Sequence, residues 1–274
     1  MDYSIYFVAT PIGNLDDITL RALKVLKNVD IIACEDTRES SKLLNYYNIN
    51  KKLISYHKFN ESKQSENIIK KAKSGITFAI ITDQGMPGIS DPGHILIKKC
   101  QKEDVKYTVL PGASSILTAL ISSGFDNNKF SYYGFVPKKT KERKILYDYL
   151  EEEEKTSILL ETPHQLKKTL EEFKKFFPER KLCIARELTK LYEEIKIFHL
   201  DDIDIDQLTL KGEFVLLLNG VEKKEKTVED FKDDIIDLYN NGTSTKDIVK
   251  KLKKQTGISK NEIYDYVLEC TKNN

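Results

Sequence analysis

Apolar positions in the first half of the chain fall into short continuous runs separated by amphipathic stretches. Ile5–Ala9, Ile31–Ala33, Thr77–Ile81 and Tyr107–Leu110 are the runs, and each reads as a strand; near-continuous apolar runs are the signature of strands buried on both faces. Between them the period lengthens. Leu20, Leu23 and Leu26 recur at three-residue steps and predict an apolar stripe on a first helix. A second helix is predicted through Leu43 and Leu44, a charged one over Asn60–Ser74, and another over Ile95–Cys100. Strand–helix alternation of this kind predicts an α/β fold with a mostly parallel sheet and helices on both faces.

Turn residues cluster at Gly124–Asn128 and predict a boundary. Beyond it the strands Ser131–Phe135, Ser157–Leu160, Leu182–Ala185, Ile195–Phe198 and Phe214–Leu218 follow one another with less helix between them. Only Glu142–Glu152 and Gln165–Phe176 have helical period here, so the segment reads as a mixed α+β domain. After Gly220 the composition changes. Val221–Lys226 is charged and linker-like, and helical patterns follow at Val228–Asn240, Thr245–Gln255 and Ser259–Thr271. Asn241-Gly242 and Gly257 read as helix stops, Ser244 and Ser259 as N-caps. The predicted division is an α/β domain over 1–124, an α+β domain over 125–220 and a helix-turn-helix-like appendix over 227–274.

Length and charge narrow the classes. A chain of 274 residues suits two modest domains better than one. With 44 basic and 43 acidic residues the net charge is +1, so any nucleic-acid surface has to be local. No apolar run approaches the ~18 residues of a membrane span, and Met1-Asp2-Tyr3-Ser4 has no basic leader region, so neither a span nor a signal peptide is expected. Cys34, Cys100, Cys183 and Cys270 are widely spaced and read as reduced thiols of a cytoplasmic protein. No His/Asp/Glu cluster has metal-type spacing, and no metal is expected.

The candidate chemistry lies in loops that follow strands. The longest is Thr82-Asp83-Gln84-Gly85-Met86-Pro87-Gly88-Ile89-Ser90-Asp91-Pro92-Gly93. Its glycines allow close approach of backbone to ligand, its prolines fix the shape, and Asp83 and Asp91 suit a ligand carrying positive charge. Open α/β sheets bind ligands at this end of their strands. Thr10–Leu15 follows the first strand without the three glycines of a dinucleotide fingerprint, and alone reads as a tight turn. Pro111-Gly112-Ala113-Ser114-Ser115 lacks the Lys of a Walker A loop and alone reads as a helix cap. Three such loops on three strands form a pattern that none of them makes alone.

Taken in order with Cys34-Glu35-Asp36-Thr37-Arg38, Glu161-Thr162-Pro163-His164 and Ala185-Arg186-Glu187-Leu188-Thr189-Lys190, these loops resemble the tetrapyrrole methylase superfamily. Within it they look like the enzymes that methylate a cytidine 2′-hydroxyl in the decoding region of small-subunit (16S) ribosomal RNA. The resemblance covers roughly residues 4–220, and the appendix also matches. Met86 and Gln84 stand where the family often has Thr and Ala.

The resemblance implies two α/β domains with S-adenosylmethionine in the cleft between them. Pro11, Gly13, Asp83, Gly85, Met86, Ile89, Ser114, Ser115, Thr162 and Ala185 are the implied cofactor residues, with Leu160 as a further apolar wall. Asp36, Arg38, Glu35, Lys190 and Glu187 are the catalytic candidates, with Asp91 as another possible base for the 2′-hydroxyl. For Asp36 and Arg38 the plainer reading is a helix cap and local ion pair, and for Glu187 and Lys190 a surface ion-pair cluster. His57 is expected near the substrate entrance, and His164 at a helix start.

RNA contact is expected from Lys138, Lys139, Lys141, Arg143 and Lys144, five cations around one Glu142, with Lys250-Lys251-Leu252-Lys253-Lys254 as a second basic segment. Tyr132, Tyr133 and Phe135 either stack bases or pack in the core. The assembled small subunit is the expected substrate and a homodimer the expected state. The alternatives are a tetrapyrrole ring C-methyltransferase and a non-catalytic RNA-binding assembly factor.

Overall fold

The computed structural model describes residues 2–221, 227–256 and 258–272, which fall into two compact units divided after Val221. The predicted linker residues 222–226 and the predicted helix stop Gly257 lie outside the described residues.

The first unit opens with β1 (Ile5–Val8), α1 (Leu20–Asn28), β2 (Ile31–Cys34), α2 (Thr37–Tyr46), β3 (Lys52–Ser55), α3 (Glu61–Lys73), β4 (Phe78–Ile81), α4 (His94–Lys102), β5 (Tyr107–Leu110) and α5 (Ser115–Ser123). The strands form one sheet in the order β3-β2-β4-β1-β5, parallel throughout. Every residue of β1, β2 and β4 is buried, because each face of the sheet carries helices. Ile5, Phe7, Phe78 and Ile80 pack against Ile68, Ile69 and Leu96 of α3 and α4. Tyr6, Val8, Ala79 and Ile81 pack against Ala22, Val25, Leu26 and Leu44 of α1 and α2.

Two sequence expectations need correction here. The core stripe of α1 is Ala22, Val25 and Leu26, whereas Leu20 is 86% exposed. Three-residue steps drift around a helix of 3.6 residues per turn, so Leu20, Leu23 and Leu26 do not share the core face. The strand β3 is missing from the sequence reading. It is an edge strand, led by the exposed Lys52 with its other residues half-buried, and so makes no continuous apolar run.

The second sheet of this unit is built from β6 (Phe130–Phe135), α6 (Thr140–Glu151), β7 (Thr156–Glu161), α7 (Pro163–Phe176), β8 (Lys181–Arg186), β9 (Glu194–His199) and β10 (Phe214–Leu218). Its order is β6-β7-β10-β8-β9; only β6 and β7 pair in parallel. One face carries α6 and α7, through Leu146, Leu150, Leu166, Leu170 and Phe173. On the other, Ile158, Cys183, Ala185, Val215 and Leu217 bury Ala119 and Leu120 of α5 together with Ile12 from the loop after β1. Cys34, Cys100 and Cys183 are buried, and all four cysteines are free.

The second unit holds a short 3-10 turn at Val228–Phe231, α8 (Lys232–Asn240), α9 (Thr245–Thr256) and α10 (Lys260–Lys272). Val228, Ile235, Ile248, Val249, Leu252, Ile263 and Val267 form its core. The hydroxyls of Ser244 and Ser259 accept from the amides of Asp247 and Glu262, each at 3.2 Å, which are the expected N-caps. Gly242 N–H donates to the Tyr239 carbonyl at the end of α8 (2.9 Å). Lys250, Lys251, Lys253 and Lys254 lie exposed along α9.

Arg143 is not the RNA contact its basic neighbourhood suggested. Its residue exposure is 1%. The guanidinium sits 2.6 Å from the Glu172 carboxylate and donates to the Thr169 hydroxyl (2.8 Å) and the Pro137 carbonyl (3.0 Å). It falls on the core face of α6 with Leu146, Tyr147 and Leu150, so the charge run hides a buried bracket between α6 and α7. Lys138, Lys139, Lys141 and Lys144 are exposed, with Lys139 paired to Glu142. Removing one partner of a buried pair strands the other charge. Arg143→Ala is therefore expected to lower the unfolding free energy by about 3 kcal/mol, read from urea denaturation. Arg143→Lys should recover little of it, because an ammonium cannot reproduce the guanidinium fork.

Candidate functional site

The loops after β1 and β4 are pinned to each other. Thr10 N–H donates to the Gly85 carbonyl (2.9 Å), Gly85 N–H returns a bond to the Thr10 carbonyl (3.0 Å), and the Thr10 hydroxyl donates to the Thr82 carbonyl (3.0 Å). Further along, the loop folds back on itself at Gly93, where φ is 147° and a β-carbon would lie 2.9 Å from the Gly88 nitrogen. Glu61 anchors the base. Its buried carboxylate accepts from the amides of Gly93 (2.8 Å) and Ile95 (3.2 Å) and from the Tyr56 hydroxyl (3.1 Å).

These loops form one side of a cavity of about 470 Å³ between the two sheets. The first sheet's loops contribute Glu35, Asp83, Gly85, Met86, Ile89 and Asp91, and the N-terminus of α5 contributes Ser114 and Ser115. The second sheet contributes Tyr132, Phe135, Leu160, Glu161, Thr162 and Ala185, with Leu188 and Glu213 from the adjoining loops. Polar contacts cross the gap. The hydroxyls of Ser90 and Tyr132 lie 2.6 Å apart, and Gln84 donates to the Glu213 carboxylate at 2.8 Å.

Eight of the expected cofactor residues thus share one cavity: Asp83, Gly85, Met86, Ile89, Ser114, Ser115, Thr162 and Ala185. Pro11 and Gly13 are not in its wall. Gly13 instead lies against the loop after β8: a β-carbon there would fall 2.4 Å from Lys190 Cγ and 2.8 Å from the Leu188 carbonyl oxygen. The amide of Asn14 donates to the Thr189 hydroxyl beside it (3.0 Å).

Of the catalytic candidates, Glu35 lines the cavity. Asp36 is the N-cap of α2, accepting from the Arg38 amide at 2.8 Å, and pairs with the exposed Arg38 guanidinium at 3.2 Å. This is the cap and local ion pair of the plainer reading. Lys190 is held between Glu187 (3.2 Å) and Glu213 (3.0 Å). Burial weighs against its charge, but those two carboxylates outweigh it and raise its pKa. Both carboxylates thus favour the charged form of Lys190. His164 is exposed in the first turn of α7. Among the stacking candidates, Tyr132 and Phe135 face the cavity, whereas Tyr133 packs on the core and donates to Glu153 (2.9 Å).

Glu161, Glu213, Leu188 and Ser90 were not singled out from the sequence. Glu161 and Ser90 lie inside motifs already read, whereas Glu213 precedes β10 in a stretch with no motif at all.

The cavity is electrostatically negative on one side. Burial, then the charges of Glu35 and Asp83, push the Asp91 carboxyl up to about 6. Burial and Asp83 raise Glu35, opposed by His57. Burial raises Asp83 as well, although the Asp36 amide donates to it at 3.1 Å. Asp83 raises Glu35, and both raise Asp91, so a bound cation relieves the repulsion that falls on Asp91. Among the described residues, no group of His, Cys, Asp and Glu is arranged to hold a metal ion.

Fold and site together define an α/β protein with a nucleotide-sized, cation-attracting cleft between a parallel and a mixed sheet. The profile of the tetrapyrrole (corrin/porphyrin) methylases matches residues 4–204. The ribosomal RNA small subunit methyltransferase I of Halalkalibacterium halodurans is 37% identical over 270 residues, covering 96% of this chain and 93% of that protein. The protein of the same name from Vibrio cholerae is 42% identical over 221 residues, covering 79% and 77%. Among solved structures, the methyltransferase CobJ superposes with a TM-score of 0.60 at 17% identity, over 80% of this chain and 95% of that one. The uroporphyrin-III-C-methyltransferase of Thermus thermophilus gives 0.56 at 19%, over 78% and 93%. The chain belongs to the tetrapyrrole methylase family, whose methyl donor is S-adenosylmethionine.

Two outcomes follow, one for the free protein and one for cofactor binding. Between pH 3.8, the ordinary value, and about 6, folded Asp91 keeps a proton that the unfolded chain releases. Stability is therefore expected to fall as pH rises through that window, and Asp91→Asn should flatten the slope in urea titrations and stabilise the protein above it. Gly13→Ala has to displace the 188–190 segment, and calorimetry should show cofactor affinity reduced about tenfold or more.

Proposed function

We propose that this chain transfers the methyl group of S-adenosylmethionine to the ribose 2′-oxygen of a cytidine in the decoding region of small-subunit (16S) ribosomal RNA. The observation that carries this reading is the cavity itself, where carboxylates, a helix N-terminus and apolar walls converge. Each matches a part of the cofactor. The sulfonium and amino group are cationic and suit Asp83, Asp91 and Glu35. The methionine carboxylate suits the amides at the start of α5, around Ser114 and Ser115. Adenine suits Met86, Ile89 and Leu160, closed over by Thr162 and Ala185. The relatives named as ribosomal RNA small subunit methyltransferases support RNA as the acceptor.

The transfer is an in-line displacement. The 2′-oxygen bonds to the methyl carbon, the carbon–sulfur bond breaks, and its electron pair stays on sulfur as the neutral thioether leaves. The hydroxyl proton passes to a carboxylate, and Glu35 and Asp91 are the candidates that face the cavity. Positioning supplies most of the acceleration, since sulfonium is already a good leaving group. Lys190, Glu187 and Glu213 hold the loop that closes the second-sheet side, and Asp36 and Arg38 fix the start of α2. Lys138, Lys139, Lys141 and Lys144 meet phosphates. The chain acts as a cytoplasmic homodimer on the assembled small subunit.

The test uses purified protein, radiolabelled S-adenosylmethionine and small subunits that lack the modification. Digestion and mass spectrometry are expected to place the label on a cytidine 2′-oxygen. Cofactor binding without labelled RNA would discard this acceptor, and labelling of a porphyrinoid would assign the ring-methylating chemistry instead. Cofactor affinity is expected to fall as pH drops through about 6, where Asp91 takes up its proton. The fall should be absent in Asp91→Asn, measured by calorimetry across pH 5–8.

A further inference from the structure

Phe59 is 97% exposed, more than any other large hydrophobic residue among those described. It lies in the short loop between β3 and α3, and that loop is firmly held. The Tyr56 amide donates to the Cys34 carbonyl (2.7 Å), which sets the loop beside Glu35 in the cavity wall. The His57 amide donates to the Asn60 side chain (2.9 Å), the Asn60 amide donates to the His57 carbonyl (2.9 Å), and the Asn60 amide group donates to the Ser55 carbonyl (3.2 Å). Glu61, next in the chain, is the buried anchor already described. The His57 ring meets Phe59 edge-on, with centroids 6.0 Å apart. A phenyl ring is thus presented to solvent by a preorganised loop, where ordering costs little on binding.

The surroundings select the partner. Lys58 precedes Phe59 and Lys63 stands four residues after it in the first turn of α3; both are exposed, with no carboxylate partner among the described residues. Arg38, in the first turn of α2 after the neighbouring strand β2, has a side chain 87% exposed while pairing with Asp36. A flat aromatic ring beside cations matches an unpaired nucleotide, whose base stacks and whose phosphates are neutralised.

We propose that Phe59 is a stacking platform for an unpaired base of the RNA substrate, with Lys58 and Lys63 contacting the adjoining phosphates. This rests on the RNA-methylating reading above and adds a substrate-recognition point at the rim of that site, outside the cofactor cavity. The occupant is RNA rather than a second copy of the chain, because the exposed charged residues nearest Phe59 along the chain, Lys58 and Lys63, are basic.

Steady-state methylation of unmodified small subunits tests it. Phe59→Ala should raise KM for the subunits about tenfold, leaving KM for S-adenosylmethionine and kcat within twofold. Phe59→Trp and Phe59→Tyr should retain wild-type KM. Phe59→Leu, similar in bulk but without a π face, should resemble Phe59→Ala. Lys58→Ala with Lys63→Ala should flatten the salt dependence of KM. An unchanged KM in Phe59→Ala, or full activity in Phe59→Leu, overturns stacking while leaving the methylation reading intact. A Phe59→Ala variant altered only in sedimentation overturns it in favour of self-association. A wild-type protein that methylates no RNA removes both readings together.

Discussion

The burial of α5 against the second sheet is the contact on which the site depends. Ala119 and Leu120 enter a face made by Ile158, Cys183, Ala185, Val215 and Leu217, and Ile12 joins them from the loop after β1. One helix is therefore shared: its preceding loop follows the parallel sheet, its apolar side closes the mixed sheet, and its N-terminus opens into the cavity. Hydrophobic contact fixes how far apart the sheets stand, and polar bridges such as Gln84–Glu213 and Ser90–Tyr132 then have a defined gap to span. The cavity's shape follows from packing some distance from its charged wall.

Charge is partitioned rather than accumulated. The chain is nearly neutral, with 44 basic and 43 acidic residues, yet its cavity collects Glu35, Asp83, Asp91, Glu161 and Glu213, while lysines stay at the surface. This partition lets the cavity attract a cationic cofactor while the surface keeps the opposite sign. The half-buried Glu35 and Asp91 supply the acidic field inside the cavity and exposed lysines balance it, so the molecule carries almost no net charge.

The sequence made the strands legible where burial is two-sided, as in β1, β2 and β4, because a short continuous apolar run bounded by turn residues suits a strand covered on both faces and little else. It concealed β3, whose edge position leaves its pattern mixed. The loops were readable because glycine and proline mark backbone needs directly. What stayed hidden was side-chain direction. Arg143 sits in a basic run but on the core face of α6, and only the helical phase relative to Leu146 and Leu150 separates it from Lys144. Asp36 and Glu35 are adjacent in sequence, but one caps a helix and the other faces the cavity. Glu213 belongs to no motif, and its place in the wall arises solely from strand order.

That order has a temporal side. In the second sheet the last strand made, β10, lies in the middle, between β7 and β8. Until residues 214–218 emerge, β6–β7 and β8–β9 are separate pairs with open apolar edges, and α5 has no face to bury against. Pairings of such long sequence separation form slowly. A growing chain thus completes its parallel sheet at Leu110 and waits until Phe214 for the strand that closes the second. During that interval the unpaired edges and the bare side of α5 are the surfaces most in need of protection from wrong partners.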